Sequence, residues 1–272
     1  MFNRAYASNW RAIGEYRVDC HWTEPTGAEG ARAEGARIDT EKATMQHITD
    51  IDAIDSNDKV LDRLEALSEE CAEGLLYELR VFNTAYWVVT KAIGDSLAAD
   101  SFSHPEIIED FTVCFARYYF EAINGLMHDD SVVPVAWTKL TGRKKPQSPS
   151  ISLLMGANAH INHDLALALL ETMDKRSATD FLPDLVKIDR LLIACAREIL
   201  GTYDESSIFL SFVKRRCQWL YFRPVMSMIR FWRVMAFYNF RSMQRLGGNK
   251  ANFAHRSIKI ANRFLQLGEF FG

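Results

Sequence analysis

The sequence predicts an all-α fold: a single-domain helical bundle with a buried central helix. Three observations carry this. Apolar residues recur at three- and four-residue spacing along most of the chain. No run alternates apolar and polar residues with the period of two that a half-buried strand needs. The segment LLMGANAHINHDLALALL, Leu153 to Leu170, is apolar on every side, as a helix enclosed by others must be. The 272 residues suffice for one sizeable core, and 48% hydrophobic with 25% charged residues is ordinary for a globular chain.

MFNRAYASNWRAIGEYRV, residues 1–18, fits a short amphipathic helix and has no apolar h-region, so no secretory leader is expected. Residues 24–37, EPTGAEGARAEGAR, repeat AEGAR in tandem and read as a flexible linker. The expected organisation is therefore residues 1–37 as N-terminal helix and linker, and 38–272 as the helical domain. Ser56 and Asn57 are cap candidates for a helix carrying Val60, Leu61, Leu64 and Leu67 at helical spacing. A Ser-x-Pro start at Ser103–Pro105 opens a helix that runs to about Met127. A short helix around Trp137 ends in a loop marked by Gly142, Pro146 and Pro149. The central helix follows, then one over SATDFLPDLVKIDRLLIACAREILGTY. A long segment from Glu205 to Leu246 is expected to kink at Pro224, and a last helix closes the chain.

Five cysteines, widely spaced and without a CxxC pair, predict reduced thiols and no structural zinc; with no leader the expected compartment is cytoplasmic. The net charge of −3 conceals an asymmetry. Ser206 to Gly268 holds twelve Lys or Arg and no Asp or Glu, leaving twenty basic against thirty-five acidic residues elsewhere. Such a segment packs on the acidic remainder or faces a phosphate, a carboxylate or anionic lipid. Arginines every few residues in QWLYFRPVMSMIRFWRVMAFYNF exclude a membrane span, although Arg216, Arg223, Arg230 and Arg241 near one helical face allow peripheral membrane contact. No Gly-rich phosphate loop, Ser-His-Asp signature or nucleic-acid motif occurs, and the acidic majority argues against nucleic acid. The expected partner is a small anionic or lipid-like substrate.

The central helix poses the functional question. Leu153, Gly156, His160, His163, Asp164, Leu167 and Glu171 share one helical face, with Asn158 and Asn162 nearby. Each buried polar group costs a few kcal/mol unless paired or bound to a metal. Two imidazoles and a carboxylate can converge on one divalent ion (Zn, Mn, Fe or Mg), so His160, His163 and Asp164 are the candidate ligands. Further ligands are sought among Glu121, His128, Asp129, Asp130, Asp180 and Asp189. The alternative is a structural hydrogen-bond network. The candidate catalytic set is His163, Glu121 and Arg117, with Arg117 and Glu121 one turn apart and able to pair with each other. The candidate substrate-binding set is Asn83, Asn158, Asn162, Arg230 and Arg233. No ExxH or HExxH occurs, which removes the ferritin-like and metalloprotease templates.

The His160-x-x-x-Asp164 segment resembles the helix of all-helical zinc phospholipases C and related nucleases, which implies metal-activated water attacking a phosphoester. The later histidine and HxxxE of those families have no counterpart here. Asp164 and Glu171 resemble part of the magnesium motif of class I terpene synthases, with Arg117 at the place of a diphosphate-sensing arginine, but the Asp-rich DDxxD partner is missing. Over its whole length the chain is similar to the domain of unknown function 5995 family. GANAHINHDLALAL, the Phe82-Asn83-x-x-Tyr86 motif, a Trp137 helix and Asp180-Phe181 carry the resemblance over about residues 55–240. Ala166 stands at a usual proline, and Lys187-Ile188-Asp189 replaces a Val-Asn. The resemblance implies a helical fold and draws attention to Asn158, His160, Asn162 and Asp164. The sequence as a whole predicts a metal-dependent enzyme, a hydrolase of a phosphoester or lipid-like substrate. A non-catalytic helical scaffold and diphosphate chemistry are the alternatives.

Overall fold

The structure is a computed structural model, and it describes residues 51–71, 78–128, 133–140, 149–173, 178–202, 208–246 and 251–271. The expected N-terminal helix and AEGAR linker lie outside the described residues. Every regular element described is helical. A 3₁₀ turn (Ile51–Ala53) precedes α1 (Asn57–Glu70), α2 (Arg80–Ala98), α3 (Pro105–His128) and the short α4 (Val135–Thr138). The central rod is α5 (Pro149–Ala159), a π-helical turn (His160–Asp164) and α6 (Leu165–Met173), followed by α7 (Ala178–Thr202), α8 (Ile208–Leu246) and α9 (Ala251–Phe271).

Local chemistry starts these helices where the sequence places them. Ser56 caps α1, its hydroxyl accepting the Lys59 N–H at 3.4 Å. Val60, Leu64 and Leu67 then form a fully buried stripe against α2. Helix α3 begins with Pro105 at its first position, where the missing N–H costs nothing. Its N-terminus is held from another helix: the buried Asp184 of α7 accepts the N–H groups of Ser103 (2.9 Å) and His104 (3.0 Å). Helix α8 runs continuously through Pro224, which lies at the exposed surface; the expected interruption does not occur. A proline removes one helical N–H, and packing of the flanking turns sustains the rest of the helix.

The central rod touches α2, α3, α4, α8 and α9. Its most intimate contact is at Gly156, where a Cβ would lie 2.6 Å from the Cβ and 2.7 Å from Cδ2 of Phe82. The glycine lets α5 close onto α2 and seats Phe82 over the polar turn that follows. The departure from expectation is that turn. Regular α spacing puts His160, His163 and Asp164 on one straight face, but residues 160–164 widen into π geometry. Cys71, Cys114 and Cys195 are buried. No described helix is long and apolar enough to cross a membrane.

Two outcomes are expected for stability. Gly156→Ala should destabilise the protein by up to about 2 kcal/mol in urea unfolding, because overpacking against Phe82, about 1–3 kcal/mol, offsets the roughly 1 kcal/mol gained in helix propensity. Burial alone would raise the Asp184 carboxyl, but the N–H groups of Ser103 and His104, then the His104 ring and Lys187, hold it below its ordinary value. A depressed folded-state pKa stabilises above the unfolded value, and the gain is lost as pH falls through the folded one. Asp184→Asn should cost on the order of 1–2 kcal/mol at neutral pH, with the gap to wild type shrinking on acidification. A gap constant with pH would remove Asp184 ionisation from the account.

Candidate functional site

At the π turn a buried carboxylate is gripped by three donors. Asp164 is 1% exposed and lies 2.9 Å from Nδ1 of His160, 2.7 Å from Nδ1 of His163 and 3.1 Å from Nε1 of Trp137. A carboxylate accepts only, so each ring nitrogen facing it carries a proton, and His160 is the Nδ1–H tautomer when neutral. Burial would raise the Asp164 carboxyl, but the hydrogen bonds from His160 and His163 hold it below its ordinary value. Burial pushes the His160 imidazole below its ordinary value against the pull of Asp164. The neutral-pH state is therefore an ionised Asp164 and a neutral His160 whose Nε2 lone pair is free to accept a proton.

That Nε2 is buried and has no hydrogen-bond partner. Aromatic rings surround the imidazole: Phe115 stacks on it at 3.6 Å and 13°, Tyr86 lies at 4.6 Å, and Phe82, Tyr119 and Trp137 follow at 5.7–6.1 Å. His160 also forms part of the wall of a half-open cavity of about 120 Å³. Helices α2, α3, α5, α7 and α8 supply the wall, chiefly through aliphatic and phenylalanine side chains such as Phe111, Ile188, Leu192 and Ile229. Two hydroxyls in that wall, Tyr86 Oη and Thr90 Oγ1, are likewise buried without a partner. Tyr86 and Thr90 are one turn apart on α2, so they share a face. Three polar atoms on residues of one apolar wall thus go without partners, at a cost of about 1–3 kcal/mol each.

The structure sorts the other candidates. Asn83 is fully buried; its amide donates to the Leu64 carbonyl (2.8 Å) and Ser68 Oγ (2.7 Å) and accepts from Tyr119 (3.1 Å). Asn158 donates to the Ser257 carbonyl (2.9 Å) and accepts from Asn162 (2.9 Å), fastening the rod to α9. None of these asparagines lines the cavity. Arg117 donates through Nε and Nη2 to the Ile54 carbonyl at 3.2 and 2.9 Å, which pins the 3₁₀ turn to α3. Glu121 is exposed; residual burial of its carboxyl, then the charges of Glu171 and Asp164, raise its pKa. Glu171 accepts the Tyr118 hydroxyl at 3.0 Å, while Asp164 is taken up by the two histidines and Trp137. Arg233 stands in the cavity wall with its Nε 2.5 Å from Asp189 Oδ1, whereas Arg230 points to the surface.

The described residues contain no group of three or more His, Cys, Asp or Glu placed to hold a metal ion. Both Asp164 oxygens are already occupied, and Asp189 is engaged by Arg233. The side chains of His128, Asp129, Asp130 and Asp180 lie outside the described residues. Among the described residues, then, the donor set does not fit a metal centre.

Sequence reasoning passed over Trp137, Tyr86, Thr90 and Phe115 as site residues. The Phe82-Asn83-x-x-Tyr86 motif and the Trp137 helix held the signal for two of them. Phe115 and Thr90 gave none, since an aromatic or threonine on a buried helix is ordinary core. No curated protein and no solved structure matches this chain, so the likeness to zinc phospholipases rests on His160 and Asp164 alone. A family model does match, over residues 57–270 and thus most of the chain: the protein belongs to a family of unknown function, DUF5995.

Proposed function

We propose that the protein is a hydrolase of a lipid-like substrate, with the substrate chain in the apolar cavity and His160 as general base. The observation that carries this reading is the unpartnered Nε2 of His160 in the cavity wall, on a ring whose other nitrogen is fixed by a buried carboxylate. A base needs an available lone pair, a set tautomer and a counter-charge for the imidazolium it becomes. Asp164 supplies the last two. The Phe115 face, stacked on the ring, further favours the charged form while it exists. In this reading Tyr86 Oη donates to an oxygen on the substrate, and Thr90 Oγ1 bonds either way. The described wall residues include no Ser or Cys, and the Thr112 hydroxyl is spent on the Ile108 carbonyl, so the nucleophile in this reading is water deprotonated by His160.

The apolar lining of the cavity is what suits it to an acyl or isoprenoid chain. The reading routes no step through a metal, since the described donors do not assemble one. The scaffold alternative draws on the satisfied asparagines: Asn83, Asn158 and Asn162 each lock one helix to another. It leaves the three unpartnered atoms of the cavity unexplained.

The first test is native mass spectrometry of the purified protein with displacement of a fluorescent fatty acid, beside hydrolysis of long-chain esters and phosphoesters. Expected are submicromolar to micromolar binding of long chains and ester turnover that survives chelation. Replacing His160 by Gln should reduce kcat about a hundredfold or more, as for loss of a general base, while changing chain binding less than tenfold. Because burial depresses the His160 pKa, activity should rise with pH through a value below the ordinary imidazole range and then level off. Unchanged turnover in His160→Gln, or no binding of any long-chain molecule, would sink the proposal.

A further inference from the structure

Helix α8 has two differently dressed sides. Val225, Ile229 and Arg233, at successive turns, belong to the cavity wall, and Trp232, Ala236 and Phe240 are buried beside them. The opposite side carries Phe231, Val234 and Tyr238, which are 57%, 65% and 66% exposed. They follow one another at three- and four-residue spacing, so they form a single ridge. Arg223, Arg230 and Arg245 are exposed along the same helix, with Arg241 half-buried.

The neighbouring α9 extends the pattern. Its Arg256 guanidinium lies 5.3 Å from the Phe231 ring centre, and Lys259 and Arg263, at the following turns, are exposed. From Ser206 to Gly268 no acidic residue offsets these cations.

We propose that this face of α8 and α9 docks on an anionic lipid bilayer, with Phe231, Val234 and Tyr238 entering the headgroup boundary and the surrounding Arg and Lys meeting lipid phosphates. The charge is complementary to such a surface, and an apolar ridge flanked by arginines is the dress of a helix lying in the membrane plane. Arginine stems can lie along the apolar ridge while their guanidinium groups stay in the headgroup layer. Aromatics occur on every side of α8 in the sequence. The fold resolves them, burying Trp232 and Phe240 and leaving Phe231 and Tyr238 outside. The inference does not depend on the catalytic role of His160. It gives the cavity a source for its ligand, because one helix would then separate the bilayer from the apolar chamber.

The test is flotation of the full-length protein with vesicles of phosphatidylcholine alone and of phosphatidylcholine mixed with phosphatidylglycerol. Binding is expected to the mixed vesicles, little to the neutral ones, and less at high salt. Phe231→Ser with Tyr238→Ser should weaken binding about tenfold or more through lost apolar insertion. Lys259→Glu with Arg263→Glu should do so by at least about fivefold per residue changed. These positions are exposed, and circular dichroism checks that each variant keeps its fold. His160→Gln should bind vesicles as wild type does, which separates this inference from the hydrolase reading. Failure to bind the mixed vesicles, equal binding to neutral ones, or variants that bind unchanged would overturn it. So would sedimentation showing a dimer that Phe231→Ser with Tyr238→Ser converts to a monomer, because the ridge would then be covered by a second copy.

Discussion

A carboxylate buried at the centre of a helical bundle is the costliest feature of this protein, and much else is arranged to make it tolerable. Desolvating one such charge costs several kcal/mol unless donors replace its water. Asp164 has three, and they come from different parts of the chain: two from its own turn and one from the Trp137 indole of a four-residue helix. That explains why α4 exists. Four residues cannot form a stable helix alone, but Trp137, fully buried, ties the segment to the rod by one hydrogen bond and its ring contacts with Phe82 and Tyr119. The same demand fixes the tautomer of His160 and so leaves its other nitrogen basic.

The π turn lies at the same place. His160 and His163, four and one positions before Asp164, meet its two oxygens there. Widening His160–Asp164 adds a residue to the turn without ending the helix. Polar groups the carboxylate does not use find partners beside it: Asn158 and Asn162 bond each other, and Asn158 reaches the Ser257 carbonyl. The paired asparagines and the acid–base dyad thus lie on adjacent sides of one turn, with opposite uses. The asparagines are consumed by the fold, and His160 is not.

The helical class, the buried central rod and the Ser56 cap were all legible in the sequence, because each rests on local spacing or on a residue type with one plain use. The convergence of His160 and His163 on Asp164 was legible as proximity. Its geometry was not, since a π turn leaves no periodic trace in five residues. Arg117 and Glu121 show the limit of helical-wheel reasoning: one turn apart they can pair, yet the structure sends Arg117 to the Ile54 carbonyl on a segment more than sixty residues away in sequence. Such long-range partners are set by tertiary packing. The cavity was invisible for the same reason, as its wall takes one or two residues per turn from helices far apart in sequence, each unremarkable in its own window.

The remaining link is between that cavity and the charge asymmetry, which on sequence grounds were separate observations. If the basic segment served only to neutralise the acidic remainder, its cations would be turned inward, as Arg233 is toward Asp189. Arg223, Arg230, Arg245, Lys259 and Arg263 are instead exposed, and the apolar residues between them are among the most exposed large side chains described. Leaving such a ridge in water forgoes burial that a stable bundle normally takes, so a partner surface is the economical explanation. The helix that bears the ridge also walls the chamber holding His160.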